Sequence, residues 1–203
     1  DDTEYADGKP MYSPGITVSR WVDGVLEDDE NISQRTALKA MFYWGHAVNS
    51  QTRGVEMQKA MQKLEMMVIV DPYPTVASVM HDRSDGVYLL PAATQFETTG
   101  SVTATNRSIQ WRDRVIEPLF ESKPDHEIMY LFARKLGIGN ELVKNYQMNG
   151  DEPLIDDILR EINRGMWTVG YTGQSPERLK EHQKNWHTFS FENLRAEGGP
   201  ADG

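Results

Sequence analysis

The sequence contains no cysteine in 203 residues, and this absence excludes several classes of chemistry. Without thiols, the chain has no disulfide, no thiolate nucleophile, no cysteine-bound zinc and no iron–sulfur cluster of its own. A GxSxG sequence is missing as well, and the five histidines form neither an HxxxH nor an HExxH spacing. We therefore expect no metal ligands and no catalytic nucleophile from this chain alone.

Clustered basic residues and long apolar runs are also missing. The 21 Lys and Arg residues are outnumbered by 31 Asp and Glu residues, which leaves a net charge of -10. Because phosphate neutralisation needs clustered cations, this balance argues against nucleic acid as a partner. No apolar run reaches the roughly 18 residues of a membrane span, so direct membrane insertion is not expected. The chain begins at Asp1 and ends in the turn-like GGPADG, and we expect a piece of a longer polypeptide.

Two stretches of the sequence share one organisation, an apolar run that ends in a polar loop. The first run ends at Gly45 and opens into HAVNSQTR, and the second ends at Asp71 and opens into PYPT. Residues 55–64, between them, show the apolar spacing of a helix. Strand, loop, helix, strand and loop form a βαβ unit, whose ligands bind beyond the carboxyl ends of the strands. We therefore expect these two loops to hold a large polar cofactor.

The predicted fold class is α/β, with an open, mostly parallel sheet, flanking helices and a helical or irregular C-terminal extension. The segment VSRWVDGVL at 18–26 is predicted as a strand or sheet edge, and a short helix is predicted from Asn31. A strand at 87–90 is followed by a polar loop at 92–113 with short β segments, and loops of this length are commonly functional. The predicted domains are an acidic lead-in at 1–36, an α/β domain at 37–140 and a helical extension at 141–203.

Three helices are predicted toward the C-terminus. The first begins after Pro124, ends at Gly137 and has one apolar face, formed by Ile128, Leu131, Phe132 and Leu136. The second spans 151–164, with Pro153 at its first helical position and a stripe that runs from Leu154 to Ile162. The third begins after the cap residue Ser175. The intervening MWTVGYTGQ is predicted to be a strand or an extended linker.

Several carboxylates have both a functional and a structural interpretation. Asp71 ends a buried strand, where its two oxygens either accept hydrogen bonds from a guanine edge or satisfy the local backbone as a cap; both interpretations stay open. For Glu97 and Arg107 we favour an internal ion pair that holds the polar loop in shape. Asp156 and Asp157 are predicted to lie on a solvated helix face.

Six blocks of the sequence resemble one enzyme family. They are FYWGHAVNSQTRG, VDPYPT, GVYLLPAATQFETTGSVTATNRSIQWRD, EPLFESKPDHEIMY, REINRGMWTVGYTGQSPERLK and NWHTF. Together they resemble the catalytic subunit of molybdenum- or tungsten-dependent formate dehydrogenases, most strongly the exported respiratory type. The resemblance covers nearly the whole chain from about residue 35 onward. The central blocks are shared with the wider molybdopterin oxidoreductase family, whereas the REINRG block narrows the match to formate dehydrogenase.

This resemblance implies a cofactor, bis-molybdopterin guanine dinucleotide with molybdenum or tungsten, and a set of residues that bind it. The implied contacts lie in the two strand-end loops, in the polar loop and at one helix start: Gly45, His46, Ala47, Asn49, Ser50, Gln51, Val70, Asp71, Pro72, Thr75, Glu97, Thr98, Gly100 and Asp125. Many relatives have Asn or Asp followed by Pro where this chain has Ala47 and Val48. We expect Asn49 to replace that side-chain contact.

The resemblance also implies the parent reaction, the oxidation of formate to carbon dioxide with two electrons passed to iron–sulfur centres. In this family a Cys or selenocysteine holds the metal, helped by a His and an Arg in other segments, and an iron–sulfur cluster is bound near the N-terminus. The isolated chain is therefore predicted to bind cofactor and to be inactive. The implied partners are the remainder of the catalytic subunit, an iron–sulfur beta subunit and a membrane cytochrome b subunit, and the implied location is the periplasm.

Two alternatives stay open beside this interpretation. In the first, the chain is a docking module for electron-transfer subunits and uses the fold without the cofactor. In the second, it is a segment of a related molybdopterin oxidoreductase that acts on another substrate.

Overall fold

The structure, a computed structural model, describes residues 16–27, 36–46, 48–103, 109–165 and 174–184. Two compact units make up the chain, Asp1–Leu90 and Pro91–Gly203. The domain boundaries predicted at residues 36 and 140 stay predictions. None of the helices in the described ranges combines the length and the apolar character that crossing a membrane requires.

The first unit contains a three-stranded parallel sheet with the strand order β1-β2-β3. Its elements, in chain order, are a 3-10 helix Val18–Arg20, α1 Trp21–Leu26, β1 Ala40–Trp44, a 3-10 helix Val48–Ser50, α2 Gly54–Lys63, β2 Met66–Asp71, α3 Val76–Val79 and β3 Val87–Pro91. Strands β1 and β2 pair in parallel from Ala40 opposite Met66 to Trp44 opposite Val70. The predicted α/β class and the βαβ unit are confirmed.

Helix α2 covers the sheet with the methionine face that its spacing predicts. Met57, Ala60 and Met61 are at most 1% exposed, and they pack in one cluster with Met67 and Ile69 of β2. Because β2 is buried along Met67–Val70, its apolar run without alternation is explained by packing on both faces. This core fixes the position of the two strand ends.

The end of α2 is capped by an arginine from a later loop. The Arg83 guanidinium donates hydrogen bonds to the carbonyl oxygens of Met61, at 3.1 Å, and Glu65, at 2.9 Å, and also to that of Leu64. The last carbonyls of a helix have no partner within the helix. A cation that binds them therefore satisfies both their hydrogen bonding and the negative end of the helix dipole.

The strand predicted at residues 18–26 is wrong, because this segment is helical. Trp21, Val22 and Val25 of this short helix are buried. They are one, three and four residues apart, which fits a helix and not the alternation of a strand. A Cβ on Gly24 would lie 2.6 Å from Ile16 Cδ1 and 3.0 Å from Leu38 Cδ1. The close approach of these neighbours explains the glycine inside a helix. The helix predicted from Asn31, with Leu38 and Met41 near its end, begins outside the described residues. Its predicted end is wrong, because residues 36–39 are not helical and Met41 lies in β1.

The second unit consists of two small antiparallel ribbons and four helices within the described ranges. Its elements are β4 Gly100–Thr103, β5 Ile109–Arg112, α4 Asp125–Lys135, α5 Gly139–Leu142, β6 Met148–Asn149, β7 Glu152–Pro153, α6 Ile155–Gly165 and α7 Pro176–Lys184. Strand β4 pairs with β5, and β6 pairs with β7. The short β segments predicted in the polar loop and the cap at Ser175, whose Oγ accepts the Arg178 N–H at 3.2 Å, are confirmed.

Two details of the predicted C-terminal helices are wrong. Pro153 lies in β7 opposite Met148, and α6 begins two residues later, because the Leu154 N–H donates to the Gln147 carbonyl at 2.9 Å and closes the ribbon. Leu136 is 73% exposed, since it follows the last turn of α4 and precedes Gly137, whose φ of +79° reverses the chain. Gly137 thus confirms the predicted stop. Of the predicted stripe on α6, Leu154 and Ile162 are exposed as well.

The solvated face predicted for Asp156 and Asp157 is also wrong. Lys180 of α7 pairs with Asp156, and Arg160 Nη1 lies 2.8 Å from Asp157 Oδ1. Asp157 also accepts the Gln147 N–H at 2.8 Å. This hydrogen bond, followed by the Arg160 pairing, lowers the pKa of Asp157 below its usual value. The two carboxylates therefore connect α6 to its neighbours.

Candidate functional site

The carboxyl edge of the first sheet turns sharply at Gly45. This residue has a φ of +55°, and its N–H donates to the Val70 carbonyl at 2.9 Å, one residue beyond the end of the β1–β2 pairing. A left-handed φ favours glycine. Among the described residues, nothing lies within 4 Å of the position that a Cβ would occupy. The chain thus leaves β1 in open space beside the end of β2.

The loop after Gly45 carries a chain of side-chain hydrogen bonds. Gln51 Nε2 contacts His46 Nε2, and Gln51 Oε1 accepts the Trp21 indole N–H at 3.4 Å. Val48 is fully buried and anchors the 3-10 turn, whereas Ser50 is exposed. Gln51 is therefore held from both sides. Ala47 and the side chain of Asn49 lie outside the described part of the chain.

The second strand-end loop presents a carboxylate and a hydroxyl. Asp71 is the last residue of β2 and is half-buried, and Pro72 beside it is exposed. Thr75 precedes α3, and its carbonyl accepts the N–H and the hydroxyl of Ser78, at 2.9 and 2.6 Å. Its own Oγ1 is buried and finds no hydrogen-bond partner among the described residues. Buried polar groups are normally paired, so this hydroxyl fits a missing ligand.

Glu97, a predicted contact in the second unit, is buried beneath its loop. Its residue is 4% exposed, Oε2 accepts the Thr94 N–H at 2.7 Å, and Oε1 accepts the Leu119 N–H at 2.8 Å. The hydrogen bonds from Thr94, and then that from Leu119, hold the pKa of this carboxyl below its usual value. Glu97 therefore joins two loop segments through backbone donors on both oxygens. Its predicted partner Arg107 lies outside the described residues.

An open cavity of about 410 Å³ lies beside this loop within the second unit. Three predicted contacts line it, namely Thr98, Gly100 and Asp125. The cavity is lined in addition by Ala93, Gln95, Thr99, Ser101, Val102, Arg112, His126, Met129, Ile155 and Ile158. A Cβ on Gly100 would lie 3.4 Å from Ile155 Cγ1, so the glycine sits close against α6. The cavity thus combines an apolar wall with hydroxyl and charged groups.

Charged side chains behind the cavity hold His126 in place. Glu152 Oε1 lies 3.0 Å from His126 Nε2 and 2.7 Å from Arg114 Nη2. An ionised carboxylate only accepts hydrogen bonds, so His126 donates through Nε2. Arg114 also pairs with Glu117 at 3.1 Å. In the described ranges, no three His, Asp or Glu side chains converge to hold a metal ion.

The predicted residues thus fall into two groups. The carboxyl ends of β1 and β2 and the loops that follow them bring together Gly45, His46, Ser50, Gln51, Val70, Asp71, Pro72 and Thr75. The cavity of the second unit collects Thr98, Gly100 and Asp125, whereas Glu97 does not line it. The sequence does not predict Arg112 or His126. Successive side chains of a strand face opposite sides, so Arg112 is expected on the side of β5 opposite the buried Trp111. The sequence gives no comparable signal for His126.

Comparisons with known proteins show one family to which this sequence is similar. The family described as "Molybdopterin oxidoreductase" matches residues 22–135, more than half of the chain. A protein named "Putative formate dehydrogenase" from Staphylococcus haemolyticus is 30% identical over 169 residues, which is 83% of this chain and 15% of that protein. Two proteins of the same name from Staphylococcus aureus strains RF122 and USA300 are 35% and 33% identical over 124 residues, which is 61% of this chain and 11% of each. The chain thus spans 11% to 15% of the length of these relatives.

Proposed function

Because this chain belongs to the molybdopterin oxidoreductase family, we propose that it is the guanine-dinucleotide-binding segment of a formate dehydrogenase catalytic subunit. The family implies a molybdopterin cofactor with molybdenum or tungsten. The observation that carries the proposal is the carboxyl edge of β1 and β2, where Asp71 ends a buried strand and the Thr75 hydroxyl has no hydrogen-bond partner among the described residues. Crevices at this edge of a parallel sheet are the usual ligand sites of such folds.

Asp71 and Thr75 fit a guanine base. The guanine edge offers N1–H and an exocyclic amine, two parallel donors that one carboxylate accepts together. A hydroxyl donates one hydrogen bond and accepts others, so Thr75 Oγ1 adds a contact to a polar atom of the base or its sugar. Asp71 thus carries the recognition, and Thr75 extends it.

The loop after Gly45 fits the remainder of a dinucleotide. The open space at Gly45 admits a ligand close to the main chain. Glycines in phosphate-binding turns allow the same close approach. His46, Ser50 and Gln51 provide donors along the loop, and Asn49 belongs to the same turn. In the second unit, the polar wall formed by Thr98, Gly100 and Asp125 supports a role in cofactor binding as well, with Glu97 holding that loop in shape.

The proposed parent reaction converts one formate into carbon dioxide, one proton and two electrons. The bound cofactor would accept the electrons and pass them to iron–sulfur centres. This chain has no cysteine, so the remainder of the subunit would supply the metal ligand. Formate as the substrate rests on the resemblance and on the names of the relatives. The iron–sulfur beta subunit, the cytochrome b subunit and the periplasmic location are proposals of the same kind.

The test exchanges the acid at each end of β2 in the full-length subunit. Asp71→Asn replaces one acceptor oxygen at the carboxyl end, whereas Glu65→Gln changes an exposed acid that precedes the same strand and pairs with Lys39. Bound guanosine is measured after acid release from the purified protein. We expect Asp71→Asn to reduce it by roughly tenfold, the loss of one charge-assisted contact, and Glu65→Gln to retain it. Equal guanosine content in the two variants would contradict the proposal.

A further inference from the structure

Helix α1 contacts the loop after β1 through a buried carboxylate. The Asp23 side chain is 11% exposed, and its Oδ1 lies 2.7 Å from Arg53 Nη1. Its Oδ2 accepts the Arg20 Nε–H at 3.0 Å. Arg20 ends the 3-10 helix directly before α1, whereas Arg53 ends the loop that begins at Gly45. Asp23 therefore connects α1 to this loop.

Arg53 holds an unusual backbone conformation at this contact. Its φ of +68° and ψ of +39° lie in the left-handed region, which a residue with a side chain rarely adopts. Its carbonyl accepts the Met57 N–H at 2.9 Å and so starts α2. Strain of this kind persists only where the surroundings hold the residue, and such residues concentrate at functional sites. The Arg53 side chain is held here by its ion pair with Asp23, whose Oδ1 accepts from the guanidinium.

A second contact reaches the same loop from the same helix. Trp21 of α1 donates its indole N–H to Gln51 Oε1, and Gln51 in turn contacts His46. Trp21 itself is 8% exposed and packs edge-on against Tyr43 of β1, with 6.1 Å between the ring centroids. The helix therefore fixes the loop near its middle through Gln51 and at its end through Arg53.

We propose that Asp23 is a positioning residue for the cofactor loop, acting through Arg53 and with no contact of its own to the ligand. The assignment to a cofactor rests on the proposed function, whereas the positioning of the loop does not. Hydrogen bonds from Arg53, and then from Arg20, hold the pKa of Asp23 below its usual value, so the carboxylate stays charged at neutral pH. Arg20 bonds the other oxygen of Asp23 and precedes α1, outside the loop, which makes it a matched control.

Hydrogen exchange of the full chain separates positioning from general stability. In Asp23→Asn we expect amides of residues 48–53 to exchange roughly tenfold faster, the effect of losing one hydrogen bond between charged groups. Arg20→Met should leave this segment within about twofold of wild type, since the Arg20 side chain is 53% exposed and its bond to Oδ2 leaves the Oδ1 pair with Arg53 in place. Asp23→Glu should restore part of the protection. Equal effects of Asp23→Asn and Arg20→Met, or uniformly faster exchange throughout the first unit, would overturn the proposal.

A second variant separates the ion pair from the backbone strain. Arg53→Gly removes the guanidinium but accepts a positive φ, so the loop should exchange as fast as in Asp23→Asn. The double variant Asp23→Asn with Arg53→Gly should add nothing further, because both changes remove one contact. Additive effects would show that the two residues act independently, contrary to the proposal.

Guanosine content then tests the link to the cofactor. In the full-length subunit, Asp23→Asn should bind several-fold less guanosine than Arg20→Met; equal contents would refute a role in cofactor binding. Wild-type protein without guanosine would instead overturn the proposed function, and the exchange comparison would still decide whether Asp23 positions the loop.

Discussion

The two units of this chain are stabilised by different means. In the first unit, a sheet and helix α2 bury a continuous apolar cluster that includes Met57, Met61 and Met67. In the second, the described residues form a smaller buried cluster around Trp111, Leu159 and Leu179, surrounded by ion pairs between helices and loops. Apolar burial therefore fixes the sheet edge that carries Asp71, whereas polar contacts hold the cavity that Asp125 lines.

The second unit also leaves more of its apolar side chains exposed around one loop. Phe96, Val115 and Leu119 are each more than half exposed, and Phe120 is fully exposed with a φ of +56°. The segment is nonetheless ordered, because the Phe96 carbonyl accepts the Val115 N–H at 2.8 Å. Exposed apolar groups held in a fixed arrangement are typical of contact surfaces.

The largest effect that separates the units should come from truncating one methionine in each. Met61 is fully buried against the sheet, whereas Met129 of α4 is 49% exposed. We expect Met61→Ala to lower the free energy of unfolding by about 3 kcal/mol, from lost burial and the cavity left behind. Met129→Ala should change it by less than about 0.5 kcal/mol, as is usual at the surface. Denaturant-dependent hydrogen exchange, resolved by unit, measures both, and comparable losses would contradict the contrast in burial.

The same contrast explains which parts of the fold the sequence predicts. The spacing of Met57 and Met61 and the apolar run through Val70 reflect burial that dominates local structure, and these elements lie where predicted. The strand predicted at 18–26 is wrong because the segment has too few apolar residues to distinguish the two-residue period of a strand from the 3.6-residue period of a helix. Proline is common both at the first position of a helix and at the edge of a sheet, so Pro153 fits either place. The hydrogen bond from the Leu154 N–H to the Gln147 carbonyl places it in the β ribbon.

The candidate site is predictable to the extent that it follows strand ends. Gly45 and Asp71 come directly after apolar runs, so their shared edge follows from the βαβ pattern. Asp23 carries no such signal, because its role depends on Arg53, thirty residues away, and on a helix that the sequence does not predict. Long-range polar contacts of this kind arise from packing and leave no periodicity in the sequence.

Acid should reveal how strongly the second unit depends on Glu97. The pKa of this carboxyl is lowered in the folded chain, so its contribution to stability is complete above about pH 4.5 and is lost as the pH falls through the lowered value. Glu97→Gln replaces one acceptor with a donor and removes this contribution. We expect the variant to unfold more easily at pH 7 and the difference from wild type to shrink below about pH 4.

Unfolding of the second unit, followed by hydrogen exchange between pH 3 and 7, measures the Glu97 effect. Glu117→Gln is the control, since it removes one charge from the same loop at a side chain that is 85% exposed. A difference between wild type and Glu97→Gln that is constant with pH would show that the carboxylate charge contributes nothing to holding the loop.

The smallest contrast compares one arginine in each unit. Arg83 binds three carbonyl oxygens at the end of α2, whereas Arg160 pairs with Asp157 and Glu177 at a side chain that is 42% exposed. Removing a charged donor from three backbone carbonyls costs about 2 kcal/mol, and removing an exposed ion pair costs less than about 1 kcal/mol. We therefore expect Arg83→Met to destabilise its unit more than Arg160→Met. High salt should weaken the Arg160 contribution first, because exposed pairs are screened. Hydrogen exchange at low and high salt measures the stability of each unit. A larger loss of stability in Arg160→Met than in Arg83→Met would contradict this expectation.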